Sequence, residues 1–412
     1  MKKFFFIIFI FLSFITQTIT EPGTNPILSR LTPSDIFGAL GLLFGVTALT
    51  KGFTSSSSLS KVYQSSLFLI VCFFLPIMFS YNITGTLIES LILLFLILIS
   101  VTIFQNFKNN LLDSLFPILM YTMICASILG FYDLISSTIG LPRIFPKRTD
   151  GEALSGFRNA GQAGAYYLVM LSILIPLRYS SLYDLVSPRN RKILRVSIII
   201  SIIFIFLTGK IAAYIGLAAG ILFFLLYKRN FKATFGVIFG VALLSILWVN
   251  LETLLPNLHN RVSKKYDSRV TQRIEGTNKG GFMEKNFGAA IQSFEDRPLI
   301  GSGIGGFSSK YGTHEVHSTY FKMLGETGLF GVIGYLIFLI SFIYMFKYRK
   351  FRKVNPYSDY LATMFPFILG CLISWGYTYH LRKREFWILV AVIMIVNYCA
   401  INYKQVILEE EV

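Results

Sequence analysis

The chain has 412 residues, of which 54% are hydrophobic and only 14% charged. With a mean hydropathy of +0.62, this excludes an ordinary water-soluble domain, in which about a quarter of the residues are charged. The formal charge of +17 accompanies long apolar stretches rather than a basic stripe, so it points to anionic headgroups or an anionic lipid substrate and away from nucleic acid.

In chain order, apolar runs of about 20 residues predict about twelve membrane spans. The first, over 4–20, follows Lys2 and Lys3 and has the charge and length of a signal peptide. No small-x-small cleavage site precedes Glu21-Pro22, so it reads as an uncleaved helix. Spans follow over 34–50, 62–80, 84–104, 112–138 and 164–179. The apolar run from Leu194 to Leu226 is too long for one helix and is interrupted at Thr208-Gly209-Lys210, which predicts two short spans, 193–208 and 210–227, joined by a tight turn. A ninth span over 233–250 leads into a polar segment, and spans over 324–346, 358–378 and 385–402 complete the chain. The expectation is an all-α polytopic membrane protein, one membrane domain over 1–412 with a single large loop over 251–319 and no tandem repeat. Cys72, Cys125, Cys371 and Cys399 lie inside apolar runs without CxxC spacing, so they give neither a disulfide framework nor a zinc site.

Lys and Arg near helix ends are retained on the cytoplasmic side, so the short connections set the orientation. With the N-terminus inside, the connections Lys51 to Lys61, Phe107 to Asn110, Arg178 to Arg195, Lys228 to Lys232 and Lys347 to Lys353 fall on the inner side, and each is basic. An odd number of spans then precedes Leu251, which puts the large loop outside. The basic residues left on the outer side include Arg143, Lys147, Arg148 and Arg158 after the fifth span, and Arg269, Arg273, Arg297 and Lys310 in the loop. Singly, each is the ordinary charge of a solvated face. Together they make a vestibule suited to phosphate or pyrophosphate, for which guanidinium offers paired donors.

Residues 287–336 are the densest in features. Phe287 to Phe294 reads as amphipathic and Asp296-Arg297-Pro298 breaks it. Gly301, Gly303, Gly305 and Gly306 follow without Rossmann or P-loop spacing, which rejects a nucleotide fingerprint. These glycines are either a nest of backbone N–H groups for phosphate or points of close packing. His317 opens the next helix, with Tyr320, Phe321 and Leu324 along its face. It is either a base for an attacking hydroxyl or an interfacial histidine satisfied by backbone or water, and His314 is the alternative base. The pair lacks a third ligand at metal spacing. Glu326, in the apolar part of that helix, needs a cation or a backbone N–H as partner, because an unpaired carboxylate there costs several kcal/mol. Lys210, at the break between two spans, has the same standing unless it snorkels to the interface.

The segment Pro298-Leu299-Ile300-Gly301-Ser302-Gly303-Ile304-Gly305-Gly306-Phe307, followed by His317-Ser318-Thr319-Tyr320-Phe321 and Glu326-Thr327-Gly328-Leu329-Phe330-Gly331, resembles the signature region of the O-antigen ligase and polymerase superfamily. Upstream, Gly156-Phe157-Arg158-Asn159-Ala160-Gly161-Gln162 resembles the family's turn before a helix, and Leu207-Thr208-Gly209-Lys210 its Thr-Gly-Ser-Arg. The resemblance covers roughly 150–340. Three positions depart from it: Ser318 replaces the usual Asn, Lys210 stands where Arg is usual, and Met283 occupies a position where many members carry Arg. A lysine there keeps the charge and loses the bidentate fork.

The resemblance implies a membrane glycosyltransferase of the GT-C type in the bacterial inner membrane, with its active site facing the periplasm. It implies a metal-independent, cofactor-free, inverting transfer of a glycan from undecaprenyl pyrophosphate to an acceptor hydroxyl, in lipopolysaccharide or surface polysaccharide biosynthesis. The catalytic residues it implies are His317, as base or acceptor-orienting group, and Glu326, orienting the cluster; Arg158, Lys210, Arg269 and Arg273 bind the pyrophosphate and glycan. Its partners are the lipid-linked oligosaccharide donor, a lipid A core or glycan acceptor, and membrane lipids. Ligase is the first reading and O-antigen polymerase the alternative, since Arg269 and Gly280 match an Arg-x10-Gly spacing described for polymerases but nothing equivalent occurs in the earlier outer loop. A solute transporter is the rival of another class; against it stand the absent repeat and a long loop that breaks the symmetry of the two halves.

Overall fold

The computed structural model describes residues 2–19, 31–52, 57–142, 156–228, 282–311 and 315–410, with positions 144, 236, 260 and 263. Apart from positions 236, 260 and 263, the predicted span over 233–250 and the first part of the large loop, up to residue 281, lie outside these residues. The regular elements among the described residues are all helical, the α-helices being α1 (Lys2–Phe11), α2 (Pro33–Gly52), α3 (Ser57–Phe74), α4 (Ile83–Phe107), α5 (Phe116–Ile139), α6 (Ala160–Tyr179), α7 (Pro188–Leu207), α8 (Ile211–Lys228), α9 (Phe282–Asp296), α10 (Phe307–Tyr311), α11 (Thr319–Tyr344), α12 (Pro356–Trp375) and α13 (Arg384–Glu410). Eight of them, extended by adjoining turns in places, are long and apolar enough to cross a membrane. α7 has the length, but Arg189, Arg191, Lys192 and Arg195 in its first turns set it apart from those eight.

The first predicted span is shorter than expected. α1 ends at Phe11, and the chain beyond it opens to clasp the turn ahead of α6: the N–H groups of Thr16 and Gln17 donate to the Gly156 carbonyl at 2.7 and 3.2 Å, and Ser13 Oγ lies 3.0 Å from the Tyr166 hydroxyl. Its polar residues are what a helix in lipid cannot use and a clasp can.

The predicted break at Thr208-Gly209-Lys210 is present. Gly209 has φ +62°, a left-handed angle that glycine adopts without a Cβ penalty. α7 then packs on α5 and α6, and α8 on α12 and α6. The α8–α12 contact rests on glycines. A Cβ on Gly370 would lie 2.2 Å from the Gly216 carbonyl oxygen, so the two backbones meet as small residues allow in membranes.

The helix ends sort into two groups. Lys228 pairs with Asp359 at 3.4 Å, Arg178 lies over Tyr183 and Lys3 donates to Ser114, which gathers the basic ends of α1, α5, α6, α8 and α12. At the opposite end, Ser80 Oγ donates to the Ser302 carbonyl at 3.2 Å, Thr319 bonds Thr378 and His380, and Arg384 forks onto Asp35. That second end collects the polar residues singled out above.

Candidate active site

The two glycine-bearing motifs explain each other. Within α11, Gly328 has φ 60° and ψ −157°, so the helix is two pieces with a break between them. A break frees backbone groups that must be paired again. The Leu329 N–H donates to the Pro298 carbonyl at 2.8 Å and the Phe330 N–H to the Leu299 carbonyl at 3.2 Å. On the other side, the Gly325 carbonyl accepts from the Ser293 hydroxyl at 2.7 Å and from the Ser302 N–H at 3.1 Å. The 298–306 turn is therefore the external partner of an interrupted helix.

That pairing decides between the two readings of the glycines. Gly301, Gly303 and Gly305 have φ of +62°, +83° and +77°, and a Cβ on Gly301 or Gly303 would fall 2.6 Å from the Glu326 carbonyl carbon or 2.2 Å from Ser80 Oγ. Their N–H groups are spent internally: Gly301 on the Arg297 carbonyl and Gly306 on the Gly303 carbonyl, both at 2.8 Å, and Gly305 on Glu326 Oε2 at 2.6 Å. The turn is a packing device, which favours the close-packing reading of these glycines over the phosphate nest, since the Gly301, Gly305 and Gly306 donors are already engaged.

Glu326 has both kinds of partner that its position demands. Besides the Gly305 N–H, it lies 3.2 Å from Lys322 Nζ one turn earlier, and each of the two side chains is 1% exposed. Lys322 also reaches Glu315 Oε1 at 2.9 Å. Arg382 then bridges Glu315 Oε2 at 2.9 Å and Glu89 Oε1 at 2.8 Å. Burial alone would raise the Glu315 carboxyl, but the charges of Arg382 and Lys322 outweigh it and hold the group below the usual carboxylate range. This chain of five charges ties α4, the segment before α11, α11 itself and the α12–α13 connection together.

His317 is exposed on the segment that this network anchors, between the buried Val316 and Ser318. Ser318 caps α11, its Oγ accepting the Phe321 N–H at 3.4 Å, a hydroxyl doing there what an Asn side chain also does. Thr319 donates to the Thr378 carbonyl at 2.8 Å and meets His380 Nδ1 at 2.8 Å, and Phe321 stacks on Phe287 of α9 at 4.3 Å. The imidazole is thus presented from a fixed backbone. Partial burial lowers its basicity first of all, and Lys210, Lys322 and Lys383 add to that against the opposing charge of Glu315. Neutral imidazole then predominates at pH 7, as a proton acceptor requires.

Lys210 comes to the same end of the molecule by way of α6. A Cβ on Gly164 would lie 2.7 Å from Lys210 Cβ, and one on Gly161 would lie 3.6 Å from its Nζ, so the two glycines form the trough that takes the lysine stem. Asn159 caps α6 there, accepting the Gln162 N–H at 2.9 Å. Arg158, exposed, precedes it, its N–H donating to Thr16 Oγ1 at 2.7 Å. The structure thus gathers Arg158, Lys210, His317 and Glu326 at one end. Arg269, Arg273 and His314 lie outside the described residues.

A sequence model of the O-antigen ligase family matches residues 196–336. That stretch takes in the second part of α7, Lys210, the 298–306 turn, His317 and Glu326. Over these residues the chain is similar to that family. No curated protein matches the chain. The family carries with it an enzyme of the O-antigen ligase or polymerase kind in polysaccharide biosynthesis, working with a lipid-linked glycan donor and a glycan acceptor.

Sequence reasoning missed Glu89, Glu315, Lys322, Arg382 and Lys383. The signal was present for two of them. Glu89 is a carboxylate in the apolar run of α4, which marks a functional or structural partner by default. Arg382, with Lys383 and Arg384, is a basic run on a connection that the predicted orientation puts outside, where the retention of cations on the inner side does not account for it.

Proposed function

We propose that the protein is a metal-independent, inverting glycosyltransferase of the bacterial inner membrane, which moves a glycan from undecaprenyl pyrophosphate to an acceptor hydroxyl at the periplasmic face, with lipid A core as the acceptor. The observation that carries this reading is His317, presented at the head of α11 in the field of Lys210 and Lys383 while its neighbour Glu315 is fixed by Lys322 and Arg382. Attack of the acceptor oxygen on the anomeric carbon forms one C–O bond as the C–O bond to pyrophosphate breaks, and the acceptor proton passes to the His317 imidazole. Undecaprenyl pyrophosphate leaves as an anion, stabilised by Lys210, Arg158, Arg269 and Arg273. A single displacement inverts the anomeric centre. Glu326 takes a positioning role in this scheme, because its carboxylate is occupied by Lys322 and the Gly305 N–H.

The orientation follows from the two groups of helix ends. The end opposite His317 carries Lys3, Lys108, Arg178, Arg189, Arg191, Lys228, Arg349 and Arg352, which is the pattern of a cytoplasmic face. The deciding experiment is transfer by the purified protein in lipid nanodiscs, with lipid-linked glycan and lipid A core, run with and without chelator. His317→Ala is expected to lower turnover about 10²- to 10⁴-fold while donor binding persists. Full activity of that variant, or loss of wild-type activity on chelation, removes the mechanism.

A further inference from the structure

Between α11 and α12 the chain reads Met345-Phe346-Lys347-Tyr348-Arg349-Lys350-Phe351-Arg352-Lys353, and Met345–Phe351 is a 3-10 helix of 7 residues. That is long for this form, in which three residues make a turn and side chains at i and i+3 stand in line. Beyond its end, the Arg352 N–H donates to the Arg349 carbonyl at 3.3 Å and the Val354 N–H to the Phe351 carbonyl at 3.2 Å, which continues the pattern. The side chains are thereby sorted into rows: Met345, Tyr348 and Phe351; Phe346, Arg349 and Arg352; Lys347, Lys350 and Lys353. An α-helix would spread the same cations around its whole circumference. Met345 and Phe346 are buried, whereas Arg349, Lys350, Arg352 and Lys353 are exposed.

The segment is held at both ends. Phe346 packs on Phe365 of α12 at 5.3 Å, and Asn355, which caps α12, donates to the Ala400 carbonyl at 2.8 Å. The Arg349 guanidinium lies over the Phe365 ring at 4.0 Å and that of Arg352 over the Tyr227 ring of α8 at 4.9 Å. A guanidinium carried on a ring keeps its N–H edge for an anion. Among the described residues no carboxylate comes within ion-pair distance of Lys347, Arg349, Lys350, Arg352 or Lys353. Asp359, in the first turn of α12, is taken by Lys228 at 3.4 Å and by the Ser181 N–H at 2.7 Å. Glu409 and Glu410 lie nine and ten residues past Ala400 on α13, about 13 Å further along the helix. Retention of basic residues at a cytoplasmic face accounts for the presence of these cations. It does not account for their alignment, nor for two ring-borne guanidiniums about 6 Å apart along the axis. We propose that residues 345–353 bind an anionic phospholipid with two phosphodiester groups, of the diphosphatidylglycerol class, one phosphate on each guanidinium and the lysine row beside them. Ile340 and Ile343, exposed on the last turns of α11 just ahead of the segment, offer apolar surface to its acyl chains. The site stands at the end opposite His317 and is independent of the donor reading.

The test titrates the full-length, detergent-solubilised protein with fluorescent diphosphatidylglycerol, with unlabelled diphosphatidylglycerol or phosphatidylglycerol, at equal phosphate, as competitor. Wild type is expected to bind the probe and to release it to the first competitor more readily than to the second. Arg349→Gln with Arg352→Gln is expected to weaken binding about 30-fold, roughly fivefold for each basic side chain at an anionic headgroup. Because Arg349 and Arg352 also pack on rings, Lys350→Gln with Lys353→Gln is the second variant. Both lysines are exposed, so this pair should melt as wild type does and still bind the probe more weakly. Lys192→Gln with Arg195→Gln removes two exposed charges from α7 at the same end and should leave binding unchanged. Wild-type affinity in both the arginine and the lysine pairs overturns the site. An equal loss in all three pairs reduces it to general surface charge, and equal competition by phosphatidylglycerol removes the two-phosphate recognition; either result overturns the proposal. Tighter binding by Glu409→Gln with Glu410→Gln, on the scale of the arginine loss, would show that the C-terminal acids and not a lipid occupy the rows, and overturns it as well.

Discussion

Gly328→Ala isolates the contact on which the site is built. At φ 60°, ψ −157° the backbone is in a region that is essentially glycine-only, and an alanine forced there costs about 1–3 kcal/mol in strain. Its Cβ would also lie 2.6 Å from both the Ile300 nitrogen and the Leu299 carbonyl carbon, distances at which backbone, not a flexible side chain, has to move. Separation of the two segments weakens the Leu329–Pro298 and Phe330–Leu299 hydrogen bonds, each worth about 0.5–1.5 kcal/mol net. The expected destabilisation is about 2–6 kcal/mol, from strain and the two bonds together. Retreat of the turn also takes the Gly305 N–H away from Glu326, so activity falls with stability. The assay is thermal unfolding of the detergent-solubilised protein followed by size-exclusion fluorescence. Gly288→Ala is the control: that glycine is an exposed position of α9 with no atom within 4 Å of the added Cβ, and alanine there is expected to be neutral or to stabilise by up to about 1 kcal/mol. An unchanged melting temperature for Gly328→Ala would refute the account of α11 as a helix whose break is paired by the 298–306 turn.

Three further outcomes follow from the same geometry. Transfer activity is expected to rise with pH through a midpoint below the ordinary histidine value of about 6.5, because burial and the surrounding lysines depress His317; a rising limb centred above that value, or its survival in His317→Gln, assigns the limb to another group. Lys322→Met takes from Glu326 its cation and leaves Glu315 with Arg382 alone, and is expected to cost about 3–5 kcal/mol, of which Glu326→Gln in the same chain restores part; additive losses in the double variant would show that the pair does not interact. A cysteine replacing Ser309, exposed beside the 298–306 turn, is expected to react with a membrane-impermeant maleimide from the periplasmic side, and one replacing Asn190 only after permeabilisation; the reverse pattern overturns the orientation.

The helices were legible because lipid leaves a chain few options: backbone groups must be satisfied within each segment, and an apolar run of about 20 residues announces that. The α7–α8 break was legible too, since Gly209 interrupts an apolar run beside a cation and then adopts the positive φ that glycine permits. The end of α1 was not, because Phe11 and Phe14 are equally apolar and only the distant Gly156 carbonyl and Tyr166 hydroxyl decide where the helix stops. Glu326 was read as needing a cation or a backbone N–H and has one of each. Which cation was hidden by habit, not by distance: Lys322 is one turn away and reads as part of an interfacial helix start.

The rest of the charge network was hidden by distance itself. Arg382 meets Glu89 across 293 positions and Glu315 across 67, separations at which a single sequence gives no pairing signal. Yet the arrangement follows from elementary electrostatics once the helices are placed. Five charged groups, three of them buried, cannot be gathered at the head of α4 and α11 unless they alternate in sign, and they do: Glu89, Arg382, Glu315, Lys322, Glu326. The alternation leaves an excess of one negative charge, and Lys210, Lys322 and Lys383 act on His317 electrostatically against Glu315. The paired charges fix the segment that presents the imidazole, and the lysines of neighbouring elements add to burial in lowering its basicity.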